Sequence, residues 1–121
     1  MINSKNQSGN IAESLAADYL AKQNVKIIKR NFHSRFGEID LVGLHQDILL
    51  FIEVRYRKNE DVLAAIETID QRKCKKIITT SKFFLNKHKN YQSHFCRYDV
   101  ITLTGELDKP AIEWIKNAFQ A

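Results

Sequence analysis

The chain has 121 residues, of which 44% are hydrophobic and 27% are charged. This length and balance are typical of a soluble protein, and residues 1–121 are expected to form a single domain. No apolar run approaches the roughly 18 residues that cross a membrane, so no membrane association is predicted. The formal net charge of +5 favours a polyanionic partner, with nucleic acid as the first candidate.

Cysteine usage and the N-terminal residues predict where the protein is found. The two cysteines, Cys74 and Cys96, lie far apart and form no CxxC pattern. This argues against a disulfide framework and against a zinc site. The first residues are polar and contain no apolar core of a secretory signal. The expected location is therefore the cytoplasm.

The first half of the chain is expected to fold as one helix and three strands. Residues 1–7 are polar, and we expect them to be disordered. The helix should begin near Ser8, with Asn10 as its N-cap and Glu13 completing a capping box, and should end near residue 24. Strands are predicted over residues 25–32, 38–44 and 48–56, with short turns between them.

The second half adds a long helix and two strands. Residues 57–61 should form a charged loop, and residues 62–66 a short helical turn. A capping box from Thr68 to Gln71 predicts the start of the longest helix, over about residues 69–88. Strands follow over residues 95–103 and 111–116, the last at a sheet edge and bearing Trp114. The order αβββαββ predicts an α/β fold with a mixed sheet of about five strands and helices on both faces.

Two acids interrupt the most apolar strands of the chain. Asp40 lies in the second predicted strand and Glu53 in the third, each with apolar neighbours. Buried carboxylates are costly unless they are paired, and two neighbouring ones raise each other's pKa. A divalent cation removes both problems, because Mg²⁺ takes carboxylate ligands. Arg55 should project from the same face as Glu53, and an acid pair with a fixed cation suits hydrolysis of a phosphodiester.

A structural interpretation of the same acids stands beside this one. Asp40 would accept hydrogen bonds from loop amides, and Glu53 would form a buried salt bridge with Arg55 or Arg57. For Glu13, the capping box is a sufficient structural role. Residue types alone do not decide between these interpretations.

Basic residues cluster in two further places. Only positive charges occur in the stretch from Arg72 to Lys76, which favours a phosphate-facing surface over an ordinary solvated helix face. The loop after the third strand adds two more cations. The expected nucleic-acid-binding residues are Arg57, Lys58, Arg72, Lys73 and Lys76.

A set of short motifs runs through nearly the whole chain, over about residues 9–119. They are GEIDLV at 37–42, FIEVR at 51–55, Lys73 in the long helix, RYDV at 97–100, NAF at 117–119, and Glu13-x-x-Ala16-x-x-Tyr19-Leu20 in the first helix. Together they resemble the bacterial YraN-type family of uncharacterised proteins. That family is similar to nucleases with the D…(D/E)-x-K signature and to archaeal Holliday-junction resolvases. The resemblance implies a restriction-endonuclease-like core.

The resemblance also implies a role for each site residue. Asp40 and Glu53 would bind Mg²⁺ or Mn²⁺, with the Val54 carbonyl as a further ligand and Glu13 reaching the metal through water. Arg55 occupies the lysine position of the signature. Since arginine stays protonated, it would orient water or stabilise charge and would not act as a general base. Lys73 would face phosphate or assist catalysis from the long helix.

The expected activity is therefore that of a metal-dependent endonuclease that hydrolyses DNA, including branched or damaged forms. The alternative is a non-catalytic nucleic-acid-binding module that keeps the fold, with vestigial or structural acids. A weaker third interpretation is a scaffold that binds a partner protein through the edge strand near Trp114. Junction nucleases of this fold are often dimers, so a homodimer is compatible with the resemblance.

Overall fold

The computed structural model describes residues 4–59 and 61–121, and its five strands form one sheet in the order β1-β2-β3-β4-β5. The elements are α1 (Ser4–Lys22), β1 (Lys26–Ser34), β2 (Gly37–His45), β3 (Ile48–Arg57), α2 (Val62–Glu67), α3 (Gln71–Lys87), a 3₁₀ turn (Lys89–Tyr91), β4 (Phe95–Thr104) and β5 (Ala111–Phe119). Strands β3 and β4 pair in parallel, and the other three pairs are antiparallel. The predicted α/β fold with a five-stranded mixed sheet is confirmed, and the short helical turn expected at residues 62–66 is the six-residue helix α2.

Strand β3 lies at the centre of the sheet because its apolar run is buried on both faces. Leu50 and Ile52 belong to the core cluster that includes residues of α1. Leu49 and Phe51 belong to a second cluster, which includes residues of α3. All four side chains are fully buried. Since neighbouring residues of a strand point to opposite faces, α1 and α3 cover the two sides of the sheet.

Two predicted helix starts are wrong. Helix α1 begins at Ser4, so Asn10 lies inside it and does not cap it. Residues 4–7, which were expected to be disordered, are helical, because polar residues without proline do not stop a helix; residues 1–3 lie outside the described part. Helix α3 is capped by Asp70, whose Oδ1 accepts a hydrogen bond from the Lys73 amide at 2.8 Å. Aspartate is the stronger N-cap, and Thr68 instead ends α2.

Strand β5 extends beyond the predicted residue 116 because a buried carboxylate holds it. The Asp99 side chain is fully buried and accepts two hydrogen bonds from the Arg97 guanidinium, each 2.9 Å long. It also accepts bonds of 2.9 Å from the Trp114 indole and from the Asn117 amide. Asn117 has a φ of 55°, and the register of β4 and β5 shifts at this level. Asp99 is thus a structural residue that joins the two strands.

Candidate active site

The candidate site lies where β2 and β3 separate. Their pairing runs from the hairpin turn as far as Leu41 and Ile52. Beyond that point, the Val54 amide donates its hydrogen bond to Asp40 Oδ2 at 2.8 Å. The Asp40 side chain therefore replaces a backbone partner that the next step of the ladder would supply. The opening between the strands is where the acids meet.

At the same level of the sheet, the side chains of β1 and β2 switch from one face of the sheet to the other. Arg30 and Leu41 are paired in the register and lie on the α1 side, where Arg30 bonds Ser14 at 2.9 Å and Leu41 joins the cluster with α1. The next pair, Phe32 and Ile39, lies in the cluster with α3. Regular strands keep residues i and i+2 on one face. The alternation breaks between these pairs, at Asn31, which has a φ of 52°, and at Asp40.

Glu53 is the most perturbed acid in the described part of the chain. Its side chain is only 4% exposed. Burial, followed by the hydrogen bond and the negative charge of Asp40, raises the pKa of Glu53 to about 9, although Arg55 and Lys73 act in the opposite direction. At neutral pH this carboxyl group therefore holds a proton. Such a group gains strongly from any added positive charge.

Two cations share one oxygen of Glu53. The Arg55 guanidinium lies 3.3 Å from Glu53 Oε2, and the Lys73 ammonium lies 3.5 Å from the same oxygen. Arg55 lies beside Glu53 on the same face of β3, as the two-residue repeat of side chains along a strand predicted. Lys73 comes from the first turn of α3, which the Asp70 cap fixes against the sheet. Arg55 Nε is buried and has no hydrogen-bond partner, so this donor is free for a ligand.

Glu13 extends the acid group to the α1 side of the sheet. Its pKa is raised, first by burial and then by the charge of Asp40, while a hydrogen bond from Asn31 lowers it. Glu13 Oε1 is buried without a hydrogen-bond partner. Because α1 starts at Ser4, helix capping does not explain this residue. Asp40 thus lies between Glu13 and Glu53 and influences the pKa of both.

The acids nevertheless do not form a closed metal cage. Within residues 4–59 and 61–121, no group of three His, Cys, Asp or Glu side chains is arranged to hold a metal ion. Asp40 and Glu53 are adjacent, and Val54 contributes its amide to Asp40 while its side chain packs in the cluster with α1. Both structural interpretations of the acids also have support, because Asp40 accepts an amide hydrogen bond and Glu53 pairs with Arg55.

The predicted nucleic-acid-binding residues fall into two groups. Arg72 and Lys76 are exposed on α3, beside Lys73. Arg57 ends β3, roughly 13 Å along the strand from Glu53 at ~3.3 Å per residue. Its guanidinium bonds the Tyr56 carbonyl at 2.7 Å, and exposed Lys58 lies 3.8 Å from Glu106. Only the α3 group lies next to a residue that touches the acids.

Sequence reasoning missed a groove beside this group. Phe36, at the turn between β1 and β2, lines it together with Lys75 and Thr79 of α3. The pattern assigned Phe36 only to a turn, and the two α3 residues only to a helix. The single available signal was an aromatic residue in a polar turn.

Comparison with known proteins assigns the family. The model of "Uncharacterised protein family UPF0102" matches residues 12–103. The chain belongs to this family. It is 43% identical to a UPF0102 protein of Psychromonas ingrahamii, with 99% of this chain and 95% of the relative covered. It is 39% identical to a UPF0102 protein of Stutzerimonas stutzeri, with 94% and 95% covered. The expected YraN-type membership is thereby confirmed.

The helices carry one further negative finding. Among residues 4–59 and 61–121, no helix is both long and apolar enough to cross a membrane.

Proposed function

We propose that this UPF0102 protein is a metal-dependent endonuclease that hydrolyses phosphodiester bonds of DNA. The observation that carries the proposal is the environment of Glu53, a buried acid whose pKa is raised to about 9 beside a second acid. Perturbed acids with specific charged partners are typical of catalytic sites. Glutamine would fill the same volume without the free-energy cost of burying an ionisable group. The presence of glutamate therefore favours a role that needs the charge.

The architecture supports a restriction-endonuclease-like core. Asp40 and Glu53 lie on adjacent antiparallel strands, at the point where these strands separate. The parallel strand β4 follows the long helix α3, which delivers Lys73 to the same place. The acids, Arg55 and Lys73 thus correspond to the parts that the D…(D/E)-x-K resemblance implies.

The donor set fits Mg²⁺ or Mn²⁺. Hard divalent cations take carboxylate and carbonyl oxygens. Asp40 and Glu53 would supply carboxylates, Val54 its carbonyl, and Glu13 the unpartnered Oε1, through water. When bound, the metal would supply positive charge to the phosphodiester and would acidify a water molecule.

The chain's own cations define the rest of the mechanism. An arginine side chain does not act as a general base, so Arg55 binds the phosphodiester and does not remove a proton from water. Its Nε donor has no hydrogen-bond partner within the protein, so it can donate to a phosphate oxygen. Lys73 adds a second positive charge 3.5 Å from Glu53. Both stabilise the negative charge that develops on the phosphate oxygens during attack by water.

A non-catalytic nucleic-acid-binding module is the second candidate. The observation that favours it is that both acids already have protein partners, Asp40 in the Val54 amide and Glu53 in Arg55 and Lys73. In such a module, binding to nucleic acid would depend on salt and not on metal.

The test is cleavage of linear, single-stranded and four-way-junction DNA, with Mg²⁺, with Mn²⁺ and with EDTA. Asp40→Asn and Glu53→Gln keep the shape of each side chain and remove its charge. Asp47→Asn is the matched control, because Asp47 is exposed in the turn between β2 and β3. We expect metal-dependent cleavage by the wild type and by the control, and a loss of at least about 100-fold in both site variants.

The outcomes separate the two candidates. Cleavage that persists unchanged in Asp40→Asn would refute the mechanism. Binding of DNA by the wild type without cleavage of any substrate would favour the non-catalytic module.

A further inference from the structure

A basic groove with an aromatic side chain adjoins the candidate site. It encloses about 730 Å³ between α3 and the turn that joins β1 to β2. Its positive side chains are Arg72, Lys75 and Lys76, and Phe36 lines it from the turn. Asp70 is the acid of the lining, and its Oδ1 is occupied by the Lys73 amide. The groove therefore combines positive charge with an aromatic surface.

The turn is held firmly against α3, so the groove exists before any ligand binds. Gly37 has a φ of 152°, and a Cβ at this position would lie 3.3 Å from Thr80 Oγ1 and 3.5 Å from Lys76 Cβ. Ser34 Oγ accepts a hydrogen bond from the Phe36 amide at 3.1 Å and lies 3.5 Å from Thr80 Oγ1. This close approach at Gly37 fixes Phe36 over the helix.

The Phe36 ring is supported by protein and also accessible. The Arg35 guanidinium lies 4.9 Å from its centroid, and the Phe83 ring packs at 6.2 Å with an angle of 65°. Phe36 nevertheless keeps 39% of its surface exposed. This exposed part of the ring gains nothing from folding and is left available for burial by a ligand. A flat apolar ligand would cover it.

The groove and the acids are connected through helix α3. Lys73, which contacts Glu53, lies three residues before Lys76 of the groove lining, and residues three apart are neighbours on a helix surface. Residues 72, 76, 79, 83 and 87 recur at helical spacing and form one stripe along α3. A second groove of about 400 Å³ lies at the far end of the stripe, where Lys87 and His88 face Lys29 and His33 of β1. From residue 73 to residue 87 the helix rises by roughly 21 Å, enough for several nucleotides of one strand.

We propose that the groove at Phe36 binds an unpaired nucleotide of the substrate strand, next to the bond that is cut. The base stacks on Phe36, and the flanking phosphates lie on Arg72 and Lys76. A groove lined by cations alone would hold any phosphate backbone. The aromatic ring adds a contact that a base outside the double helix can make, since the faces of bases within a duplex are covered by stacking on the neighbouring base pairs. The identity of this ligand depends on the proposed function.

The experiment is equilibrium binding in EDTA, so that cleavage does not interfere. The probes are a single-stranded oligonucleotide carrying 2-aminopurine and a blunt duplex of the same sequence. Phe36→Leu removes the ring but keeps an apolar contact with Phe83, and Phe36→Trp keeps an aromatic face. Phe95→Leu is the control, because Phe95 is 85% exposed at the start of β4 and lies outside the groove.

We expect Phe36→Leu to weaken binding of the single strand by roughly 5- to 100-fold, which is the size of one base–aromatic stack. Phe36→Trp and Phe95→Leu should bind the single strand as the wild type does. Binding of the duplex should change by less than about two-fold in all three variants. At saturation, the fluorescence of 2-aminopurine should differ from that of the free strand with the wild type, and should differ less with Phe36→Leu. Thermal unfolding checks that each variant is folded.

Equal loss of single-strand and duplex binding in Phe36→Leu would overturn the proposal, as would single-strand binding that stays unchanged. These results are distinct from a failure of the proposed function. If the wild type cleaves DNA and Phe36→Leu binds the single strand like the wild type, the proposed role of the groove is refuted and the proposed nuclease activity stands. If the wild type cleaves no DNA but its binding of the single strand depends on Phe36, the proposed nuclease activity is refuted and the proposed role of the groove stands.

Discussion

Replacement of Glu53 by glutamine should stabilise the metal-free protein at neutral pH. The pKa of Glu53 is raised from 4.5 to about 9 by burial and by Asp40. An acid with a raised folded-state pKa adds its full stability below the unfolded-state pKa and loses it as the pH rises towards the folded-state pKa. The free energy of unfolding should thus fall between pH 4.5 and about 9, by about 3 kcal/mol at pH 7 relative to pH 4.5 from this group. Glutamine has no proton to lose, so Glu53→Gln should avoid this loss.

The assay is urea unfolding in EDTA between pH 5 and pH 8. The quantity of interest is the difference in free energy of unfolding between Glu53→Gln and the wild type, because groups that do not interact with Glu53 titrate equally in both and cancel. This difference should rise with pH by up to about 1.4 kcal/mol per unit. Glu113→Gln is the control, since Glu113 is exposed on β5, and it should show no such trend. A difference that stays constant with pH would refute the reasoning, because it would mean that Glu53 is ionised in the folded protein throughout.

Four further outcomes are expected. Mg²⁺ at pH 8 should raise the melting temperature of the wild type and leave that of Glu53→Gln unchanged, which thermal unfolding with and without EDTA checks. Asp99→Asn should lower the free energy of unfolding by about 2–4 kcal/mol in urea, because it leaves the partly buried Arg97 without its charged partner. Gly43→Ala should cost about 1–3 kcal/mol, since the new Cβ would lie 2.7 Å from Val25 Cγ1. Gly9→Ala is its counterpart: the new Cβ meets nothing within 4 Å in α1, and about 0.5–1 kcal/mol of stability should be gained by urea unfolding.

The central strands were predictable because their signals are local and strong. The continuous apolar run of β3 identified a strand buried on both faces, and the short loop before it predicted the antiparallel hairpin with β2. Gln46 and Asp47 form this turn with φ values of 50° and 66°, as two-residue hairpin turns require. Adjacent strands then bring Asp40 and Glu53 together, so this acid pair could be inferred from the sequence alone.

The features that the sequence did not predict depend on contacts between parts of the chain that are far apart in sequence. The change of face at Asn31 and Asp40 was not predicted; its one weak signal is that asparagine and aspartate are depleted in strands and that asparagine tolerates a positive φ. The two-residue repeat of a regular strand would place Ile39 and Leu41 on one face of the sheet. They instead belong to the two core clusters on opposite faces. The groove at Phe36 needs residues 36 and 72 to meet, and no local pattern reports a contact between a turn and a helix. Helix starts failed for a simpler reason, since several polar residues competed as caps.

The cost at Glu53 connects stability with the proposed activity. The remaining buried acid of the sheet, Asp99, accepts four hydrogen bonds of 2.9 Å and is fully paired. Glu53 has two cation contacts at 3.3 and 3.5 Å and an acid as its neighbour, which is a poor arrangement for stability. The two acids are buried to a similar degree, so burial alone does not account for the difference. The arrangement at Asp99 meets a structural role, whereas Glu53 avoids a charge repulsion with Asp40 by keeping its proton at neutral pH, and under the proposed function a bound cation would take the place of that proton.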